Sequence, residues 1–502
     1  MRQGFEGYEM SKKRKKEIVL TCLGSSIQQV TGSCWSIEFP RYNGETGLIV
    51  IECGLNQDGF TTLEQYNANE RMLNGIGKEV VENCEYLLIG HSHVDHVGNL
   101  SYFNDDNGFK GRIISSEKCI EISKPLIKNS INIHEANIKE LREKGKKKRP
   151  LYTKPQMYQM FDHMEYIEQS KEIELDEQVS VIFHKNNHVV GANSISIFIK
   201  DLSKRKHHIY YTSDLGCQCT QELHPFVDKL EYPTKCDVMI TEATYSDSQR
   251  GFTHKKAIKE REELKSLIVE GLKKSEDSQL LIPTFSFSRT QEFLVWLYDN
   301  FKNDKFFDNI PIILDGVLVD EINKVYSRIL EGEDKKKFED VMRWHNIKVN
   351  TSLEGTRAIL SKRCRRIIIS SSGFLSGGRV TNYLPSIVES SKDRIILLGY
   401  AGSEDSLAGV LIDTEQGKPV NMFNRTILKN CDIYQMKTWS SHMQFDELLK
   451  LFNEVNTPRI LVHHCDNENK EEFCNKANEY LRDRNKTTRV IGVNKGCFEF
   501  KL

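Results

Sequence analysis

The sequence predicts an α/β protein built in layers, and two kinds of segment carry that reading. One is a series of short apolar, β-branched runs that end in small or turn-forming residues. The other is a set of charged amphipathic segments between them, with apolar residues recurring at spacings of three and four. Each apolar run is short enough to be a buried strand. Strands alternating with helices bury their apolar faces by stacking in layers. At 502 residues the chain has room for several domains, at roughly 100–200 residues each.

The strand runs fall in order at 17–26, 47–54, 85–93, 179–188, 207–216 and 237–246. A second series follows at 278–287, 310–317, 365–373 and 394–402, and a last run at 459–466. Helices are predicted over 255–275 (KKAIKEREELKSLIVEGLKKS) and 441–454. No internal repeat or low-complexity tract interrupts this pattern.

Composition excludes several classes. With 38% hydrophobic and 28% charged residues the chain is not of the disordered type. No apolar stretch approaches the ~18 residues a membrane span needs, so no membrane partner is expected. A net charge of -1 excludes a globally basic nucleic-acid coat but leaves room for a local basic groove. None of the 13 cysteines falls in C-x-x-C, and the closest pair is Cys217 and Cys219. Neither a disulfide framework nor a Cys-based zinc finger is expected, and reduced thiols in a cytoplasmic compartment fit better. Residues 1–16 form a basic lead without an apolar h-region, so a secretory signal is not expected there. The run Lys12 to Lys16 reads as a solvated start, with nucleic-acid contact or a nuclear address as the alternatives. The Lys-rich stretch 145–150 reads as a solvated face.

The strongest chemical signal is His91-Ser92-His93-Val94-Asp95-His96, directly after the buried run Tyr86 to Gly90. Imidazole and carboxylate suit Zn²⁺, and a strand-to-loop junction can turn four such groups toward one point. Two metals would share them, His91 and His93 on one, Asp95 and His96 on the other. Four ligands do not complete two shells. The further candidates also lie at element ends: His188 in NNHVVGAN, Asp214 in YYTSDLG and His442 in TWSSHMQ.

These segments resemble the metallo-β-lactamase-fold hydrolases. HSHVDH matches that family's H-x-H-x-D-H motif, His188 to Ala192 its GHxxGA-like segment, and Ser213-Asp214 its strand-end aspartate. Glu52-Cys53-Gly54 stands where the family usually has an aspartate. Later segments are similar to the β-CASP nucleic-acid branch. They are Thr241-Glu242-Ala243-Thr244-Tyr245, Ile282 to Glu292, Ser370 to Arg379, Trp439-Ser440-Ser441-His442 and Arg459 to His464. They cover residues 17–502 in the branch's order. The pre-mRNA 3′-end cleavage endonuclease and its prokaryotic relatives look closest. RNase J looks more distant, because no extra C-terminal domain fits.

The resemblance implies a four-layer αββα metallo-β-lactamase domain with an inserted α/β β-CASP domain. The boundaries expected are 17–246 and 402–502 for the former and 247–401 for the latter. It implies a zinc-dependent ribonuclease that hydrolyses single-stranded RNA through a hydroxide bridging two zinc ions. DNA is the alternative strand, and a homodimer or a processing complex the alternative assemblies. The compartment expected is cytoplasmic, or nuclear in a eukaryote. His91, His93 and His188 would hold one zinc, Asp95, His96 and His442 the other, and Asp214 would bridge them. Glu52 and Glu242 would orient ligand histidines. Asp95, Glu242 and His463 are the residues expected at the chemistry. Ser371, Ser372, Gly373, Arg289 and Arg379 would contact phosphates in a groove closed by the insertion.

RNA-type members carry a further histidine, motif B, that assists the leaving group. In the segment 404–410 that position reads Val410, so the acid is expected to come from His463 or from water. Two other readings compete. A non-catalytic β-CASP scaffold subunit that binds RNA or a nuclease partner is disfavoured by the intact ligand set. A small-molecule metallo-hydrolase is disfavoured by the long insertion between Asp214 and His442.

Overall fold

A computed structural model describes residues 17–24, 30–57, 61–400, 402, 405–493 and 499–502. The basic run Lys12 to Lys16 lies outside the described residues. The chain divides into two compact units. One comprises Met1–Gln221, Val227–Gly251 and Ser441–Leu502, the other Glu222–Phe226 and Phe252–Ser440.

The first unit contains two seven-stranded sheets. One runs, edge to edge, Glu499–Lys501, Val19–Cys22, Trp35–Pro40, Thr46–Ile51, Tyr86–Leu88, Arg112–Ser115 and Met164–Tyr166. The other runs Arg489–Gly492, Arg459–Val462, Val238–Thr241, Lys206–Tyr211, Asn193–Lys200, Val179–Lys185 and Ile173–Glu174. Side chains alternate faces along a strand, and both faces here are apolar. Ile49 and Ile51 join Phe183, Ile197, Ile209 and Ile240 in the core between the sheets. Their neighbours Leu48 and Val50 face the other way, onto Leu73, Ile76 and Val80 of the helix Thr62–Asn83. On the second sheet Met239 and Ile460 likewise meet Leu448, Leu451 and Phe452 of the helix Phe445–Glu454. The result is the αββα layering that the resemblance implies.

The second unit is built on a six-stranded sheet ordered Ile347–Asn350, Ile312–Asp315, Arg366–Ser370, Gln279–Pro283, Arg394–Leu398 and Asp432–Met436. Every neighbouring pair in it is parallel. Parallel strands covered by helices on both faces read as continuous apolar runs. That is why RIIIS and RIILL are buried along their whole length.

The expected return to the first domain at 402 is corrected to 441. Residues 432–436 pair in parallel with Arg394–Leu398 as an edge strand of the second unit's sheet. The hairpin Pro419–Met422 and Arg425–Leu428 and the helix Leu407–Asp413 belong to the same unit.

Candidate metal centre

The loop His91 to His96 begins where the strand Tyr86–Leu88 ends. The N–H groups of His96 and Val97 both donate to the carbonyl of His93, and this one-turn helix spreads the side chains around a point. Two glycines permit the close packing beneath it. A methyl group on Gly90 would meet Ser213 Oγ at 2.3 Å and Glu52 Oε1 at 2.6 Å, and one on Gly54 would meet the carbonyl oxygen of Asp95 at 1.5 Å.

The first group of potential ligands is His91, His93, His188 and Asp214. His93 Nδ1 lies 3.1 Å from His91 Nε2 and 3.3 Å from His188 Nε2. The Oδ2 atom of Asp214 lies 3.7 Å from both Nε2 atoms. The second group is Asp95, His96 and His464. His464 Nε2 lies 3.5 Å from Asp95 Oδ2, and His96 Nε2 lies 3.8 Å from the same oxygen. Asp214 reaches this group too, with Oδ2 3.4 Å from His96 Nε2 and Oδ1 3.1 Å from His464 Nδ1.

Partners behind the rings set the tautomers. Glu52 accepts from His96 Nδ1 at 2.5 Å, from Tyr211 Oη at 2.5 Å and from Ser213 Oγ at 2.9 Å. Ser213 gives its only proton to Glu52, so at 2.9 Å it accepts from His91 Nδ1. His188 Nδ1 faces the carbonyl of Ser441 at 3.2 Å and must donate to it. Neutral His91 and His188 therefore turn the Nε2 lone pair toward the centre, the arrangement common to metal-binding histidines.

Charge state follows from burial and from these carboxylates. Burial pushes His91 and His188 well below the ordinary imidazole value and His93 down to about 4. Burial also opposes protonation of His96, but Glu52, Asp214 and Asp95 override it and raise that ring. His464 is raised to about 9, burial again opposing and Asp214 and Asp95 prevailing. Asp95 and Asp214 stay below the carboxylate range because His96 and His464 outweigh their burial. Neutral imidazoles and ionised carboxylates are the forms that bind metal. The protons on His96 and His464 stand where a cation would neutralise the same carboxylates. His96 Nε2 is buried with no hydrogen-bond partner of its own. The donor set thus fits zinc, with nitrogen and oxygen ligands only.

The structure departs from the sequence reading at two histidines. His442 was expected beside Asp95 and His96. Its Nδ1 instead lies 3.7 Å from Glu242 Oε1, and its ring lies tilted by 50° beside His188, with centroids 4.6 Å apart. Glu242 is fully buried and accepts from the Leu215 and Thr244 amides. The residue that joins Asp95 and His96 is His464. His463, expected at the chemistry, packs edge-on against Trp35 at 5.5 Å and beside Tyr211, and neither ring nitrogen has a hydrogen-bond partner. Adjacent residues at a strand end face opposite ways, and the left-handed φ of 46° at His464 completes the turn toward Asp214. Glu52 and Ser213, at φ 60° and 53°, share that conformation. Such strain persists only where the surroundings hold it. The signal available in the sequence was the His463-His464 doublet.

Of His442 and Val410, it is His442 that lies beside Glu242. Val410 lies in the helix Leu407–Asp413 of the other unit, and Glu404 is outside the described residues.

Arg289 and Arg379, expected at phosphates, each form an ion pair within the second unit. Arg379 Nη1 donates to Asp315 Oδ1 at 2.7 Å and to the Ser352 carbonyl at 2.9 Å. Arg289 Nη1 donates to Glu292 Oε2 at 2.6 Å. Ser371, Ser372 and Gly373 follow the strand Arg366–Ser370, at the carboxyl end of the parallel sheet. Ser372 Oγ is buried there without a hydrogen-bond partner.

Residues 290–409 match the Beta-Casp domain family, and residues 67–258 match a family described as Anti-Pycsar protein Apyc1. The chain has the metallo-β-lactamase fold with a β-CASP insertion. Among curated proteins, the chain is 22% identical over 451 residues to Endoribonuclease YSH1 of Eremothecium gossypii, covering 88% of this chain and 54% of that one. It is 22% identical to Transcription termination factor FttA of Methanocaldococcus jannaschii, covering 87% of this chain and 65% of the other. An RNase J-like protein of the same archaeon is also 22% identical, over 89% of this chain and 92% of its own. The chain spans about half the length of the endoribonucleases it matches. A crystal structure of a protein of unknown function from Enterococcus faecalis V583 superposes with a TM-score of 0.53 at 11% identity. The superposition covers 97% of this chain and 100% of that one. No helix among the described residues is long and apolar enough to cross a membrane.

Proposed function

We propose that this β-CASP protein is a metal-dependent nuclease that hydrolyses phosphodiester bonds of single-stranded RNA, with two zinc ions at the clusters around Asp214. The observation that carries the reading is the placement of Asp214 between the two clusters, with Oδ2 facing His91, His188 and His96 and Oδ1 facing His464. Two metal ions at such a site supply Lewis acidity for a phosphoryl oxygen and lower the pKa of water.

The protein's own groups do the rest. His91, His93, His188 and Asp214 hold one ion, and Asp95, His96, His464 and Asp214 the other. Glu52 and Ser213 fix the rings of His96 and His91. Cleavage expels an alkoxide that needs a proton. His442, with Nδ1 toward Glu242, delivers it from Nε2, and Glu242 steadies the ring as it does so. Ser371, Ser372 and Gly373 offer hydroxyl and amide donors to backbone phosphates.

The relatives' names point to RNA, as an endoribonuclease and an RNase J-like protein. The test is cleavage of an end-labelled single strand by the full chain. Activity toward RNA that is lost on chelation and restored by zinc supports the reading. Undiminished cleavage by chelated, metal-free protein contradicts it.

A further inference from the structure

Three residues past Asp214 the chain reads Cys217-Gln218-Cys219. Cys217 is buried and Cys219 half-buried, and their sulfurs lie 3.5 Å apart. Beside them sits the carboxylate of Glu447, 8% exposed, in the first turn of the helix Phe445–Glu454. One ligand atom from each of the three residues lies within 4.8 Å of the others. Among the described residues no other such group contains sulfur.

Two features suit this cluster to a cation. The first is unbalanced charge. Glu447 accepts from the amides of Gln218 at 3.1 Å, Cys219 at 2.7 Å and Gln444 at 3.0 Å. No cationic side chain among the described residues forms an ion pair with it, and a buried carboxylate is costly without one. A carboxylate offers about four acceptor positions; three take amides and the Cys219 thiol also hydrogen-bonds to Glu447, through a proton that a bound cation would replace. The second feature is spacing. Two thiolates on one tetrahedral zinc, at about 2.3 Å each, stand roughly 3.8 Å apart, whereas a disulfide needs about 2.05 Å. The observed separation is close to the first value and far from the second.

We propose that Cys217, Cys219 and Glu447 form a third metal site, separate from the histidine and aspartate clusters, that takes a thiophilic divalent cation such as zinc. Two sulfurs and one oxygen leave a fourth position for water on the exposed side of Cys219, within zinc's usual four-coordinate habit. The bound ion would join two segments. One is the loop after Asp214, whose Cys217 amide donates to the Ser441 carbonyl. The other is the helix that follows His442. Its role is to hold both segments in place, and no reacting group is touched.

Cobalt(II) titration of the full chain tests this directly, because only thiolate ligands give an intense near-ultraviolet charge-transfer band and the histidine and aspartate clusters contain no sulfur. The expected result is such a band in the unaltered protein and its loss in the Cys217→Ser/Cys219→Ser double variant. Should that variant fail to fold, alkylation of Cys219 by iodoacetamide in the unaltered protein provides the second reading, and added cadmium should slow it at least tenfold. No band in the unaltered protein, a band that survives the double substitution, or alkylation that cadmium leaves unchanged would each overturn the proposal.

Discussion

His464 Nδ1 lies 3.1 Å from Asp214 Oδ1. This contact ties the end of the strand Arg459–Val462 to a carboxylate whose other oxygen faces His91, His188 and His96. It also separates two neighbouring histidines, one facing the metal groups and one buried in an aromatic pocket.

That separation gives the first prediction. His464→Ala should lower metal content by about one equivalent on a two-metal geometry and abolish hydrolysis. His463→Ala should keep the metals and cost about 1–3 kcal/mol of stability, because it empties a site packed against Trp35 and Tyr211. Elemental analysis beside thermal denaturation distinguishes the two outcomes.

The second concerns the proton donor. Removing a positioned acid typically costs 10²–10⁴-fold. His442→Ala should reduce turnover by about that factor with metal content unchanged. Val410→His should leave the rate as it is, since the partner of Glu242 is already present. Single-turnover cleavage by the two variants, with metal analysis of each, checks both statements. A rate gain in Val410→His would return the acid to that position.

The third follows from the buried pair in the second unit. Asp315 is fully buried and also accepts from Tyr383 Oη at 2.5 Å and Thr356 Oγ1 at 2.8 Å. Arg379→Ala would strand that carboxylate, and breaking one side of a buried pair costs about 3–5 kcal/mol. Denaturant unfolding should show that loss. The salt dependence of RNA binding should barely change, since the guanidinium is committed to Asp315.

Much of this was legible in the sequence, and the limits are physical. Buried parallel strands such as Arg366–Ser370 stand out because both faces are apolar. The HSHVDH loop stands out because its ligands are contiguous. His464 could not be told from His463, because the choice depends on strand phase and a left-handed backbone. The edge strand Asp432–Met436 has mostly half-buried residues and no apolar run, so the return to the first unit was placed too early. Arg379 read as free charge because nothing local marks Asp315, 64 residues away, as its partner, whereas the partner of Arg289, Glu292, stands one helical turn on.

The fourth prediction is a pH dependence centred on Glu292 in the second unit. Burial would raise this carboxyl. Arg289 at 2.6 Å, His224 at 3.1 Å and Arg261 at 3.7 Å instead hold it down at about 2, from an ordinary 4.5. A depressed carboxyl stabilises the fold above its unfolded value and loses that contribution as pH falls toward its folded value. The loss, on the order of 3 kcal/mol, should therefore fall between pH 4.5 and 2. Glu292→Gln should flatten the stability profile in that window. Chemical denaturation across it, for both proteins, makes the comparison.

The most direct measurement of the central claim compares zinc-loaded wild-type protein with Asp214→Asn on the same labelled single-stranded RNA, with metal content determined for each. The account predicts cleavage by the wild type with about two metal equivalents, and loss of both cleavage and tight metal retention in the variant. RNA left intact by fully metallated wild-type protein, or cleavage by Asp214→Asn at the wild-type rate, would contradict it.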